Sequence, residues 1–133
     1  MTAPAPLASP RSVLIVDDDA FSRQVFCTML AEQGLTEVTT AVNGRDALRA
    51  LKGMPCPPDF LICDVFMPDM DGIEFLGQLG ERHYQGGVIL VSGMNAEILT
   101  LAQDIALGNG INVLGAFAKP LPHDALASVM SLG

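Results

Sequence analysis

The segment Phe60-Leu61-Ile62-Cys63-Asp64 restricts the architectures open to this chain more than any other. Its apolar residues run without a polar break, so a strand here has both faces buried, as in a parallel sheet. The run ends in a carboxylate, and Pro68 and Gly72 stop the strand just beyond it. Open α/β sheets bind their ligands outside the carboxyl ends of the strands. Asp64 is therefore the candidate reactive residue.

Other segments repeat the arrangement. Val13-Leu14-Ile15-Val16 runs into Asp17-Asp18-Asp19, Val88-Ile89-Leu90-Val91 delivers Ser92-Gly93, and Ala116-Phe117-Ala118 leads to Lys119-Pro120. Residues 37–41 form a short β-branched strand, and the last strand lies within residues 111–118. Helical patterns fill the intervals. Residues 20–33 carry Phe21, Val25 and Met29 on one stripe beside Phe26 and Leu30, with Gly34 as the stop. Asn43 caps a helix over residues 45–52, and Gly72 opens one that buries Ile73, Leu76 and Leu79. Residues 96–107 show a clear helical period through Ile98, Leu101, Ala102, Ile105 and Ala106, and a short helix runs from about His123. Alternating strands and helices predict a parallel sheet covered on both faces by right-handed crossovers. Residues 1–11, with Pro4, Pro6 and Pro10 among alanines, read as a disordered leader, and residues 12–133 as one domain.

Composition narrows the function. A net charge of −8 argues against nucleic-acid binding by this domain. No apolar run approaches the roughly 18–20 residues a bilayer span needs. No secretory leader pattern opens the chain, so a cytoplasmic location is expected. Cys27, Cys56 and Cys63 lack metal-type spacing and read as small hydrophobes in a reducing compartment. Asp17, Asp18 and Asp64 converge if the first and third strands are neighbours. Clustered carboxylates repel and take up protons unless a cation neutralises them. An oxygen-rich acidic site with few protein ligands suits Mg²⁺.

Acids after the first and third strands, a hydroxyl after the fourth and a lysine after the fifth resemble the receiver domain of two-component response regulators. The segment from Asp64 to Gly72 strengthens the resemblance, which extends from about Ser12 to the end of the chain. It implies an α/β, flavodoxin-like, doubly wound, five-stranded parallel sheet in the order 2-1-3-4-5, with helices on both faces. It implies Asp64 as phosphoacceptor, and Mg²⁺ held by Asp18, Asp64 and the backbone carbonyl of Phe66, with Asp17 acting through water. Ser92 and Lys119 would contact the phosphoryl group, and a cis Lys119-Pro120 bond would fit. The phosphoryl donor would be a sensor histidine kinase or a histidine phosphotransfer protein. An output domain or a dimer is left open, and no nucleic acid or membrane is expected as partner. Phe66 and Met94 match rim positions that tune dephosphorylation, and Ala116 stands where the family has a switching aromatic. Asp19 reads as a helix cap, and His83 and His123 as exposed helix-end residues.

Two other readings compete. A haloacid-dehalogenase-like phosphatase also forms an aspartyl phosphate, but it needs Thr or Val where Asp17-Asp18-Asp19-Ala20-Phe21 supplies Phe21. A pseudo-receiver would keep the fold as an interaction module without phosphorylation, although here every phosphorylation position is filled.

Overall fold

The computed structural model describes residues 11–35, 37–65, 72–93, 96–122 and 124–130, and strands and helices alternate along them. The elements are β1 (Ser12–Val16), α1 (Ala20–Glu32), β2 (Glu37–Ala41), α2 (Gly44–Gly53) and β3 (Phe60–Asp64). They continue with α3 (Gly72–Glu81), β4 (Gly87–Ser92), α4 (Ala96–Gly108), β5 (Asn112–Ala118) and α5 (Ala125–Met130). All strand pairs are parallel, and the sheet runs β2-β1-β3-β4-β5, the order the resemblance implies. Residues 1–10 of the expected leader and His123 lie outside the described residues, and Arg11 is exposed.

Side-chain alternation along the strands divides the core in two. Leu14, Val16, Leu61, Cys63, Val88 and Leu90 face α2, α3 and α4, where Ala47, Phe75, Leu76, Leu79, Ala102 and Ala106 meet them. Val13, Ile15, Ile62, Ile89 and Val91 face the other way, against Phe26 and Leu30 of α1 and Leu126 and Met130 of α5. Each fully buried aliphatic side chain contributes about 1.5–3 kcal/mol relative to exposure. Of the three strands with neighbours on both sides, β3 and β4 are buried at every residue and β1 at all but Ser12, as their apolar runs require.

Local signals act as expected at the helix ends. The Asp19 carboxylate accepts from the Ser22 amide at 3.2 Å, and the Asn43 side chain accepts from the Asp46 amide at 2.7 Å. Asp46 returns the favour by accepting from the Val42 amide at 3.0 Å. Gly34 ends α1 with φ +82°, a left-handed conformation that suits glycine.

Two helical stripes differ from the sequence expectation. In α1 the inward row is Phe26 and Leu30, while Phe21 is 74% exposed. Phe21 lies in the first turn of α1, one turn before the buried row begins. In α4 the buried row is Leu99, Ala102 and Ala106, and Leu101 is 52% exposed. Its apolar residues cover more arc than the sheet can reach, so the contact settles on the row with two alanines. In α3 the fully buried Phe75 joins Leu76 and Leu79, and Ile73 is half-buried.

Tyr84 ties the turn after α3 to the loop before β3. Its hydroxyl donates to the Pro58 carbonyl at 2.8 Å, and Gly86 beside it has no room for a Cβ. Burial, reinforced by the Asp59 charge, pushes the phenol well above its ordinary value. A raised phenol pKa favours the folded state below the free value of about 10, and that contribution fades as pH rises toward the folded value. Tyr84 is the only tyrosine in a chain without tryptophan, so tyrosinate absorbance reports it alone. Alkaline titration should show no tyrosinate until well above pH 10, rising together with loss of helical signal. Tyr84→Phe should lower stability to urea by about 1–3 kcal/mol, because the buried Pro58 carbonyl loses its donor.

Candidate functional site

Pairing of β1 with β3 places Val16 beside Cys63, so the next residues, Asp17 and Asp64, emerge together at the carboxyl edge of the sheet. The Asp17 amide extends the β1–β2 ladder by donating to the Ala41 carbonyl at 3.1 Å. Its carbonyl accepts from Arg23 Nη1 at 2.8 Å, and its carboxylate accepts from the Asp19 amide at 2.9 Å. Asp17 is fully buried, Asp64 nearly so, and Asp18 is exposed. One oxygen from each of the three lies within 4.8 Å of the others.

β5 delivers the counter-charge. The Lys119 amide donates to the Ser92 carbonyl at 2.9 Å, and the Val65 amide donates to the Val91 carbonyl at 3.0 Å, which keeps the ends of β3, β4 and β5 level. Ser92 is buried at the end of β4, paired with Ala118. The Lys119-Pro120 bond is cis. Lys119 Nζ reaches Asp17 Oδ2 at 2.7 Å and Asp64 Oδ2 at 3.0 Å. It also donates to Ser22 Oγ at 3.2 Å. Burial works to lower the ammonium's pKa, but its hydrogen bonds to Asp17 and Asp64 and their charges outweigh it. The net pKa lies above the ordinary lysine value. Gly72 completes the frame: a Cβ there would collide with the backbone of Val65 and the Asp64 carbonyl, so only glycine lets α3 begin this close to β3.

The structure thus brings together Asp17, Asp18, Asp64 and Lys119, with Ser92 on the adjoining strand end. Phe66, whose carbonyl was expected as a metal ligand, and the rim residue Met94 lie outside the described residues. The Asp19 cap and the exposed His83 match their expectations. Sequence reading missed Ser22 and Arg23. Ser22 carries a faint signal, since it stands three residues after a capping aspartate. Nothing in the sequence says that Arg23 reaches back to the Asp17 carbonyl.

Three carboxylate oxygens so close together form a hard donor set of the kind Mg²⁺ takes. The partly accessible Asp18 leaves one side open to a hydrated ion, so the residues present fit that cation.

The family model described as the response regulator receiver domain matches residues 13–130. The chain belongs to that family. Receiver domains are signalling domains rather than classical enzymes, and they bind Mg²⁺ at an aspartate cluster like this one. The chain is 33% identical over 125 residues to the chemotaxis protein CheY of Treponema pallidum, covering 94% of this chain and 86% of that protein. It is 37% identical over 93 residues to a protein-glutamate methylesterase/protein-glutamine glutaminase of Treponema denticola. That match covers 69% of this chain, which spans only 24% of the methylesterase. The CheX–CheY–BeF₃–Mg²⁺ complex of Borrelia burgdorferi superposes with a TM-score of 0.80 at 25% identity, covering 96% of this chain and 91% of that one. Neither the phosphatase nor the pseudo-receiver reading gains support over the receiver. No described helix is long and apolar enough to cross a membrane.

Losing Lys119 would leave Asp17 and Asp64 facing each other without their ammonium. Breaking a buried pair costs about 3–5 kcal/mol, and the 19% exposure of the lysine side chain reduces the expected loss to about 1–3 kcal/mol. Urea unfolding of Lys119→Met at neutral pH should show that loss. In the native protein the contribution of the lysine's raised pKa is complete below the ordinary value of 10.5, and it is lost as pH rises from there through the folded value.

Proposed function

We propose that this receiver domain accepts a phosphoryl group on Asp64 from a sensor histidine kinase or histidine phosphotransfer protein, and relays the change to a partner or output domain. The observation that carries the reading is the Lys119 ammonium, hydrogen-bonded to both Asp17 and Asp64 inside the acidic cluster. A carboxylate held beside a fixed positive charge is a nucleophile whose phosphorylated product is already partly neutralised. An Asp64 oxygen attacks phosphorus, and the bond from phosphorus to the donor's imidazole nitrogen breaks. The departing nitrogen keeps the electron pair and takes a proton. Phosphoryl transfer depends chiefly on alignment and charge neutralisation. Lys119 gives up a carboxylate contact to meet a phosphoryl oxygen, and the Ser92 hydroxyl donates to another. Mg²⁺, held by Asp18, Asp64 and the Phe66 carbonyl with Asp17 through water, would neutralise further phosphoryl charge when bound. Residues 12–133 act as one phosphoacceptor unit, working in the cytoplasm.

The signal would leave through α4. A one-residue bulge passes over Leu114, so that Val88 pairs with Val113 but Ile89 pairs with Gly115. The bulge reverses the alternation of β5. Ala116 consequently packs against the core on the face covered by α2, α3 and α4, and Phe117 against the core on the α1 and α5 side. Phe117 cannot stand in for the absent aromatic, and Ala116 has no rotamer to switch. Ser92 therefore moves without an aromatic partner, and α4 or its flanking loops shift in response. That shift needs only a few kcal/mol of differential stabilisation.

Incubation with acetyl phosphate and Mg²⁺, followed by intact-mass measurement, should add one phosphoryl group to the native protein and none to Asp64→Asn. Equal gain in both would refute the assignment of Asp64, and no gain in either would favour a pseudo-receiver. Adding beryllofluoride should move amide NMR signals of α4 and its loops as well as those of the acidic pocket. Changes confined to the pocket would rule out the relay.

A further inference from the structure

Lys119 holds one acceptor that the receiver chemistry does not require. An ammonium has three N–H groups. Here they meet Asp17 at 2.7 Å, Asp64 at 3.0 Å and Ser22 Oγ at 3.2 Å. Ser22 is the neutral member of the set, and it comes from the first turn of α1 instead of a strand end. Its own proton is committed elsewhere: the hydroxyl donates to Asp19 Oδ2 at 2.9 Å, which also accepts the Ser22 amide at 3.2 Å. With that proton fixed, the oxygen lone pairs are left to face the ammonium. The cap of α1 and the site lysine are thus one hydrogen-bonded chain, Asp19 to Ser22 to Lys119.

We propose that Ser22 is a positioning residue for phosphoryl transfer: its hydroxyl, oriented by Asp19, holds the Lys119 ammonium at the point where it receives a phosphoryl oxygen. The proposal rests on the phosphoacceptor reading above. Both charged acceptors of Lys119 change their surroundings during the reaction, because Asp64 becomes an acyl phosphate and Asp17 lies in the cation cluster. Ser22 takes no part in the bonds that form and break, so its contact with the ammonium persists through the transfer. Without it, the ammonium keeps its charge but loses its third anchor and spreads over several positions. Alignment is what this chemistry depends on, so the loss falls on rate.

The test compares Ser22→Ala, Ser22→Thr and Ser22→Val with the native protein, following acetyl phosphate uptake in Mg²⁺ by intact mass. Ser22→Ala should slow phosphorylation roughly tenfold, the size expected for one hydrogen bond to a charged group. Thr and Val differ chiefly in hydroxyl against methyl, so Thr should keep most of the native rate and Val should fall to the level of Ala. That pair decides the matter even if the alanine variant folds poorly. ¹⁹F NMR of bound beryllofluoride supplies a readout that a purely structural role would not move. The fluorine resonance facing Lys119 should shift in Ala and Val and hold its place in Thr. Native rates and an unmoved fluorine resonance in all variants would overturn the role of Ser22 while leaving Asp64 as the acceptor. A native protein that takes up neither phosphate nor beryllofluoride would instead overturn the phosphoacceptor reading, and the role of Ser22 with it.

Discussion

The structure turns on one contact set, the Lys119 ammonium between Asp17 and Asp64. Two carboxylates buried at the ends of adjacent parallel strands repel, and desolvation raises the cost of keeping both charged. The sheet brings them together because a parallel arrangement puts every carboxyl end at one edge. The lysine makes that edge tolerable, and it can do so because β5 ends level with β4, where the Lys119 amide meets the Ser92 carbonyl. Fold and site are therefore the same problem. The apolar strands hold the acids in register, and the last strand returns the opposite charge to them.

Most of the fold was legible because its signals were local and mutually consistent. Unbroken apolar runs marked the buried strands, Asn43 and Asp19 marked helix starts, and Gly34 marked a stop. The facing of the helices was less legible. Phe21 and Leu101 fit apolar stripes by period, yet both are largely exposed. Period reports which residues share a helix face, but the neighbouring elements decide how much of that face is covered. In α4 the cover depends on which row lets the helix approach the sheet, and the buried row is Leu99, Ala102 and Ala106.

The site was legible at the level of residue type and position. Asp17, Asp18, Asp64, Ser92 and Lys119 each stand at a strand end, where an α/β sheet concentrates chemistry. What escaped was the scaffolding around them. Arg23 grips a backbone carbonyl and Ser22 accepts from a lysine 97 positions away, contacts that depend on the closed fold. The bulge at Leu114 belongs to the same class. It reverses which face of the sheet Ala116 and Phe117 address, and no propensity in the residues announces it.

The burial of β3 on every residue also separates two timescales within the site. Its amides pair with β1 on one side and β4 on the other, so hydrogen exchange along it requires opening at the free-energy cost of the central sheet. Asp64 rides at the end of that slow-opening ladder. Asp18 and Ser22 belong to the turn and first helical turn after β1, where no strand pairing restrains the backbone. The buried Asp64 carboxylate is thus fixed to the central ladder, while Asp18 and Ser22 are placed by the turn and helix that follow β1.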